Sequence, residues 1–252
     1  MARPLATALL LLICTCSTCA FGNSIGMNFT ATRFGGGPYP ILPNEVAGLV
    51  PQSNWNNSNP VANGSTSDIS LPMAGVLVDN NGADTGAHVT WFNANAEVNS
   101  DGGNLTPNER LYRGLIEGSP FNSDPPQLTI TVSDIPYAQY EVIAYLATFG
   151  FGATASAKLG DQEYFLVQSS NFTVDGFIQA TSTNVADQKL ATYAVFTGLT
   201  GSSFSLEVIT QSGNRAGIAG FQIVEVPEPS SGVLLCVGTA LGLWRTMRRR
   251  NG

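Results

Sequence analysis

Two neighbouring stretches in the middle of the chain constrain its fold most. Leu128, Ile130 and Val132 alternate with Thr129, Thr131 and Ser133. That period of two belongs to a strand with one face inside and one outside. After the turn Asp134-Ile135-Pro136, the run Tyr140 to Phe149 is apolar at odd and even positions alike. A strand that is apolar on both faces is central in its sheet and covered twice. A half-buried strand beside a doubly covered one implies two packed sheets.

Strand signals continue on either side. Ile25, Met27 and Phe29 alternate with Gly26, Asn28 and Thr30, which predicts a half-buried strand until Gly35-Gly36-Gly37-Pro38 breaks it. Asn44 to Gly64 reads as a long polar connection. Ile69, Leu71 and Met73 alternate around Pro72, the mark of an edge strand. Ala87 to Asn93 is a strand after the turn Asp79-Asn80-Asn81-Gly82. Ala155 to Leu159 and Tyr164 to Gln168 form a pair across Gly160-Asp161. Ala191 to Thr197 and Ser203 to Thr210 are separated by Gly198-Leu199-Thr200-Gly201, a loop of hairpin length, and Ala216 to Val226 closes the body. Asn108 to Ile116 is the best helix candidate, with Leu111 and Leu115 four apart and Gly118 as its stop. The expected fold is all-β: a two-sheet β-sandwich of jelly-roll type, flanked by an N-terminal signal helix and a short hydrophobic C-terminal helix.

Both ends carry export signals. Arg3, the apolar run Leu5 to Ile13 and small residues up to Gly22 have the layout of a secretory signal over residues 1–22. Residues 227–252 hold a proline-rich break, an uncharged stretch and a basic end. As a helix, Gly232 to Trp244 would span about 20 Å, short of the ~30 Å hydrocarbon core, with flanking arginines able to snorkel. Arginines beside a span stay on the cytoplasmic side, which puts the body, residues 23–226, outside.

That body holds none of the four cysteines, so it has no disulfide framework, thiolate metal site or cysteine nucleophile. Its six cations, Arg33, Arg110, Arg113, Lys158, Lys189 and Arg215, face seventeen of the eighteen acids, which argues against nucleic acid as a partner.

The tail, with Pro227-Glu228-Pro229, the apolar run and Arg248-Arg249-Arg250, resembles the PEP-CTERM sorting signal of bacterial exported proteins. The resemblance implies an exosortase-type membrane peptidase as partner, transient anchoring by the tail, and delivery to the cell envelope or extracellular matrix. Met27-Asn28-Phe29, Ala47-Gly48 through Asn54-Trp55-Asn56-Asn57, Tyr140 to Leu146 and Ala216 to Val224 together resemble an exported domain of galactose-binding-like architecture. Relatives of that fold bind sugars or surfaces, and no ligand residue transfers to a position here.

Chemistry-bearing motifs are few. Trp55 amid Asn54, Asn56 and Asn57 has the aromatic face and amides that sugar binding needs; on a long loop, such a ring also serves as a plug for a sandwich core. Asp79, Asn81 and Asp84 surround a glycine and offer oxygen ligands to one calcium ion; the same residues are the ordinary formers of turns. His88, the chain's one histidine, is expected to be a structural or exposed strand residue, since no Gly-x-Ser-x-Gly elbow accompanies it. Glycoside hydrolysis would need two carboxylates facing each other across a cleft, and none stands out. The reading is a non-enzymatic exported protein with a structural or adhesive role and no required cofactor. The alternative is a carbohydrate-binding module using Trp55 and its asparagines, with extracellular polysaccharide as partner.

Overall fold

The computed structural model describes residues 22–32, 37–58, 61–62, 76–92, 94–98, 105–118, 127–149, 153–169, 171–213 and 215–227. Nearly all of the residues read as a signal segment and as a sorting tail lie outside the described residues, and so do the expected strand around Pro72 and the two expected flanking helices. Among those described, no helix is long and apolar enough to cross a membrane.

Two sheets form the body. The first has seven strands: β1 (Ser24–Asn28), β3 (Asn56–Asn57), β6 (Ala94–Val98), β7 (Gly114–Gly118), β9 (Gln139–Thr148), β13 (Tyr193–Thr200) and β15 (Ala216–Glu225). Its main path runs β13-β9-β15-β1-β3, with β7 joined to β15 and β6 to β7. The second has six strands in the order β12-β11-β10-β14-β8-β5: β12 (Lys189–Ala191), β11 (Gln162–Gln168), β10 (Thr154–Leu159), β14 (Phe204–Ser212), β8 (Gln127–Ser133) and β5 (His88–Phe92). β2 (Ala31–Thr32) and β4 (Val61–Ala62) make a small parallel pair. The expected two-sheet sandwich is the observed architecture.

The two stretches that anchored the sequence reading behave as their patterns require. On β8, Leu128, Ile130 and Val132 are fully buried while the threonines between them reach the surface. On β9, Val142, Ala144 and Leu146 enter the core between the sheets. Ile143, Tyr145 and Ala147 point the other way, into a second apolar cluster with Ile41, Trp55, Leu111, Tyr112 and Leu115.

Three expectations need correction. First, β1 is buried on both faces. Ile25, Met27 and Phe29 join the core between the sheets, while the Gly26 side is covered by the 41–57 segment. A Cβ on Gly26 would sit 2.8 Å from the Trp55 ring, so only glycine lets the ring approach. Second, the helix stops early. Thr106 and Glu109 form a capping box around Pro107, and helix α1 (Pro107–Leu111) ends there. Leu115 and Ile116 lie in β7, where Ile116 pairs with Ile218 and Gly114 packs against the backbone of Phe29 and Thr30. Burial between β6 and β15 outweighs the helical spacing of Leu111 and Leu115. Third, β13 and β14 are not a hairpin: β13 pairs with β9, and β14 with β10 and β8. The connection at 201–203 carries the chain from one sheet to the other.

The chain also changes sheets at Thr192, between β12 and β13. There the hydroxyl accepts from Ile178 N (2.8 Å) and donates to Gly176 O (2.8 Å). Its carbonyl accepts from Leu146 N (2.7 Å) and from the Tyr112 hydroxyl (2.8 Å). A fully buried polar residue is tolerable at this corner because its polar groups are all paired.

Candidate functional site

The sugar-platform expectation at Trp55 meets a buried ring. Only 4% of the residue is exposed, its indole N–H donates to Gln52 O at 3.1 Å, and it packs against Tyr145. The neighbouring asparagines serve as backbone clips. Asn56 donates to Gly26 O and Val78 O and accepts from Val78 N, each at 2.9 Å. Asn57 exchanges two bonds of 2.9 Å with the backbone of Ile41. Asn54 takes a left-handed backbone (φ 54°), which asparagine tolerates, and donates to Asn80 O at 3.0 Å. This group plugs the sandwich, leaving no ring face for a sugar.

Beneath the plug lies a buried polar network. Tyr145 donates a short hydrogen bond to Gln222 Oε1 and accepts from Leu49 N at 2.8 Å. Gln222 in turn donates to Val50 O and Gln52 Oε1, both at 2.8 Å. Burial pushes the Tyr145 phenol well above its ordinary range, and the same cause raises Tyr112.

Asp79, Asn81 and Asp84 are engaged as turn formers. Asp79 Oδ1 accepts from Asn81 N (2.8 Å) and Ala83 N (2.9 Å), and Asp84 Oδ1 accepts from Gly86 N (3.1 Å). The Asn81 amide donates to Asn23. Among the described residues no three His, Cys, Asp or Glu side chains gather as a metal-holding group.

His88 is exposed on β5, directly opposite Ser133. Ser133 Oγ donates to Asp134 Oδ2 at 3.1 Å, so the acid stands behind the serine and not behind the imidazole. A triad needs the reverse wiring. Two buried carboxylates do converge, Glu97 and Glu117, at 3.3 and 2.7 Å from the Arg215 guanidinium. Both are almost wholly inside, where the shared guanidinium offsets part of their charge and braces β6 and β7 against the start of β15.

The residues with free chemistry lie elsewhere. At the β12 edge of the six-stranded sheet is an open cleft of about 490 Å³, within the range of small-ligand pockets. Its floor and walls come from Phe165 on β11, from residues 178–184, and from Asp187, Lys189, Leu190 and Ala191. One wall is fastened to both sheets: Phe165 N donates to Ser182 O (2.8 Å), and Ala180 N to Tyr193 O (2.7 Å). Ser182 Oγ is engaged with the backbone of Asn184, and Asn184 Oδ1 caps the short 3-10 turn Val185–Asp187. By contrast, the side chains of Gln179, Thr181, Thr183, Asp187 and Lys189 make no hydrogen bond or ion pair among the described residues. Phe165 is outward-facing and half-buried, since Leu166 and Gln168 take the inward positions. The cleft thus combines a held aromatic side with hydroxyls, an amide, a carboxylate and an ammonium. Sequence reasoning missed it because Thr, Ser, Asn and Asp in a row are what any turn contains.

No family model matches the chain, and no curated protein matches it. Several solved structures resemble parts of it. The YxiM protein of Bacillus subtilis aligns over 81% of this chain and 40% of its own, at 12% identity and a TM-score of 0.39. Bacteroides uniformis β-glucuronidase 2 aligns over 81% of this chain and 18% of its own, at 11% identity and TM-score 0.40. The C-terminal CBM6 of the laminarinase LamC from Zobellia galactanivorans aligns over 55% of this chain and 99% of its own, at 11% identity and TM-score 0.26. The chain therefore spans less than half the length of the first two. At these scores the likenesses carry no functional inference.

Proposed function

We propose that the protein is a non-enzymatic exported β-sandwich that holds a carbohydrate in the cleft beside Phe165. The observation that carries this reading is the lining itself. One half-buried aromatic ring and a set of unengaged hydroxyl, amide and charged groups share a concave surface. Sugars present C–H faces to a ring and hydroxyls to polar side chains, and a pocket of this size and mixed character suits them. The wiring of His88, Ser133 and Asp134 and the burial of Glu97 and Glu117 support binding over bond-breaking. The test is a glycan-array screen of the purified full chain against Phe165→Ala and Trp55→Phe. Binding weakens at least about tenfold in Phe165→Ala and persists in Trp55→Phe. Equal binding by wild type and Phe165→Ala removes the cleft from consideration.

The tail supports a second reading, a structural or adhesive protein whose delivery is its purpose. Pro227-Glu228-Pro229 and Arg248-Arg249-Arg250 motivate it, through an exosortase that cuts near the motif and releases the body to the envelope or matrix. Mass spectrometry of the mature protein reads both ends. A product that still begins at Met1, or still ends in the arginine triplet at the cell surface, contradicts this reading.

A further inference from the structure

We infer that the ligand of this cleft is an uncharged glycan, and that uronates and sulfated sugars are turned away. The inference rests on the cleft reading above and adds the chemical class. Two cations stand on this part of the surface. Lys189 lines the cleft, with Asp187 lining it as well. Lys158, on β10 of the same sheet, sits between Glu163 on β11 and Glu207 on β14 as direct cross-strand partners. Asp161 lies in the turn that joins β10 to β11. The neighbourhood thus sets Lys158 and Lys189 against Asp161, Glu163, Asp187 and Glu207, within a body whose net charge is negative.

An anionic sugar approaching Lys189 meets the Asp187 carboxylate in the same cleft and a negative field beyond it. Such a site discriminates by repulsion as much as by attraction. An uncharged sugar meets no such opposition. Its hydroxyls can donate to the Asp187 carboxylate and accept from the Lys189 ammonium, while Thr181 and Thr183 offer hydroxyls that do either. Phe165 supplies the apolar side on which a pyranose C–H face can rest. Leu166↔Lys189 and Phe165↔Ser182 pairing fixes the ring's strand against both walls, so the polar groups hold their spacing from it.

Affinity electrophoresis of the full chain tests this, using gels cast with neutral polysaccharides (an α-glucan, a mannan, a xylan, a galactan) or with polyuronates (pectate, alginate). The expected result is retardation by at least one neutral polymer, little changed between low and moderate salt, and none by either polyuronate. Asp187→Lys should then create polyuronate retardation that salt abolishes, a gain a misfolded variant cannot show. Thr181→Ala with Thr183→Ala should weaken neutral binding. Retardation by polyuronates alone, lost in Phe165→Ala, overturns the neutral assignment and leaves the cleft as the site. Retardation by no polymer, or unchanged in Phe165→Ala, overturns the cleft reading itself.

Discussion

The sandwich has two outer faces, and they are built on opposite terms. Outside the seven-stranded sheet, the 41–57 segment, α1 and the α2 (Phe172–Asp175) region form a roof. Under it, Tyr112 stacks on Phe172 at 4.0 Å and Tyr145 meets both Trp55 and Tyr112. Most polar groups there are paired to one another or to backbone, as Gln222, Asn56 and Asn57 illustrate, while Gln52 Nε2 and Asn28 Oδ1 are buried without a partner. Outside the six-stranded sheet, the described residues form no such second apolar cluster. Thr131 contacts Ser205 across strands, and the cleft lining at the β12 edge has side chains with no partner. Polarity under the roof stabilises the fold; polarity on the bare face is available to something else. An asparagine-rich loop with a tryptophan therefore turned out to be architecture, and a plain run of turn formers became the candidate site.

Cutting into the roof should cost most. Trp55→Ala leaves a cavity over Gly26 and beside Tyr145, an expected loss of ~3–5 kcal/mol in chemical denaturation. The matching cut on the bare face, Thr131→Ala, should stay within ~0.5 kcal/mol. A Trp55→Ala protein as stable as wild type would show that the roof is ornament.

A finer test uses the phenols. Burial raises Tyr145 and Tyr112, so each keeps its proton in the folded state above its ordinary value of about 10, where the unfolded chain loses it. The folded state then holds more protons, and stability falls as pH rises above about 10. Tyr145→Phe should cost ~1–3 kcal/mol at neutral pH by stranding Leu49 N–H and Gln222 Oε1, and should flatten the alkaline slope. An unchanged slope would place that phenol in solvent.

Among the cuts into the roof, the smallest effect belongs to its rim. Thr106→Ala removes the α1 cap at a cost of about 1 kcal/mol. Glu109 is held below its usual range, first by the Thr106 backbone N–H and then by its hydroxyl. The capping contribution is therefore present above the ordinary carboxylate range and fades as pH falls through it. The gap between wild type and Thr106→Ala, followed by thermal melts, should narrow in acid.

Much of the fold was legible because burial wrote itself into apolar periodicity. β8 shows its inner and outer faces in Leu128 through Ser133, and β9 shows both covers in Tyr140 through Thr148. β1 did not, because its second covered face is made of Gly26 and Asn28, which sequence patterns count as exposed. They are buried by Gln52, Trp55 and Asn57, whose own polarity made the roof look like a loop. Residues 191–197 looked like half a hairpin because loop length carries no record of which sheet receives the next strand. The cleft left no trace for a related reason: Gln179 through Asn184 become a wall only through their bonds to Phe165 and Tyr193.

β1 and β15 lie side by side, with Ser24 opposite Val224. Among the described residues, the first strand's one other neighbour in its sheet is the two-residue β3. A chain made from its N-terminus must therefore wait for some 200 more residues before that strand can dock, on the order of 10–40 s at ordinary synthesis speeds. Throughout that interval Ile25, Met27 and Phe29 remain without their final shelter. The body thus closes last where it began.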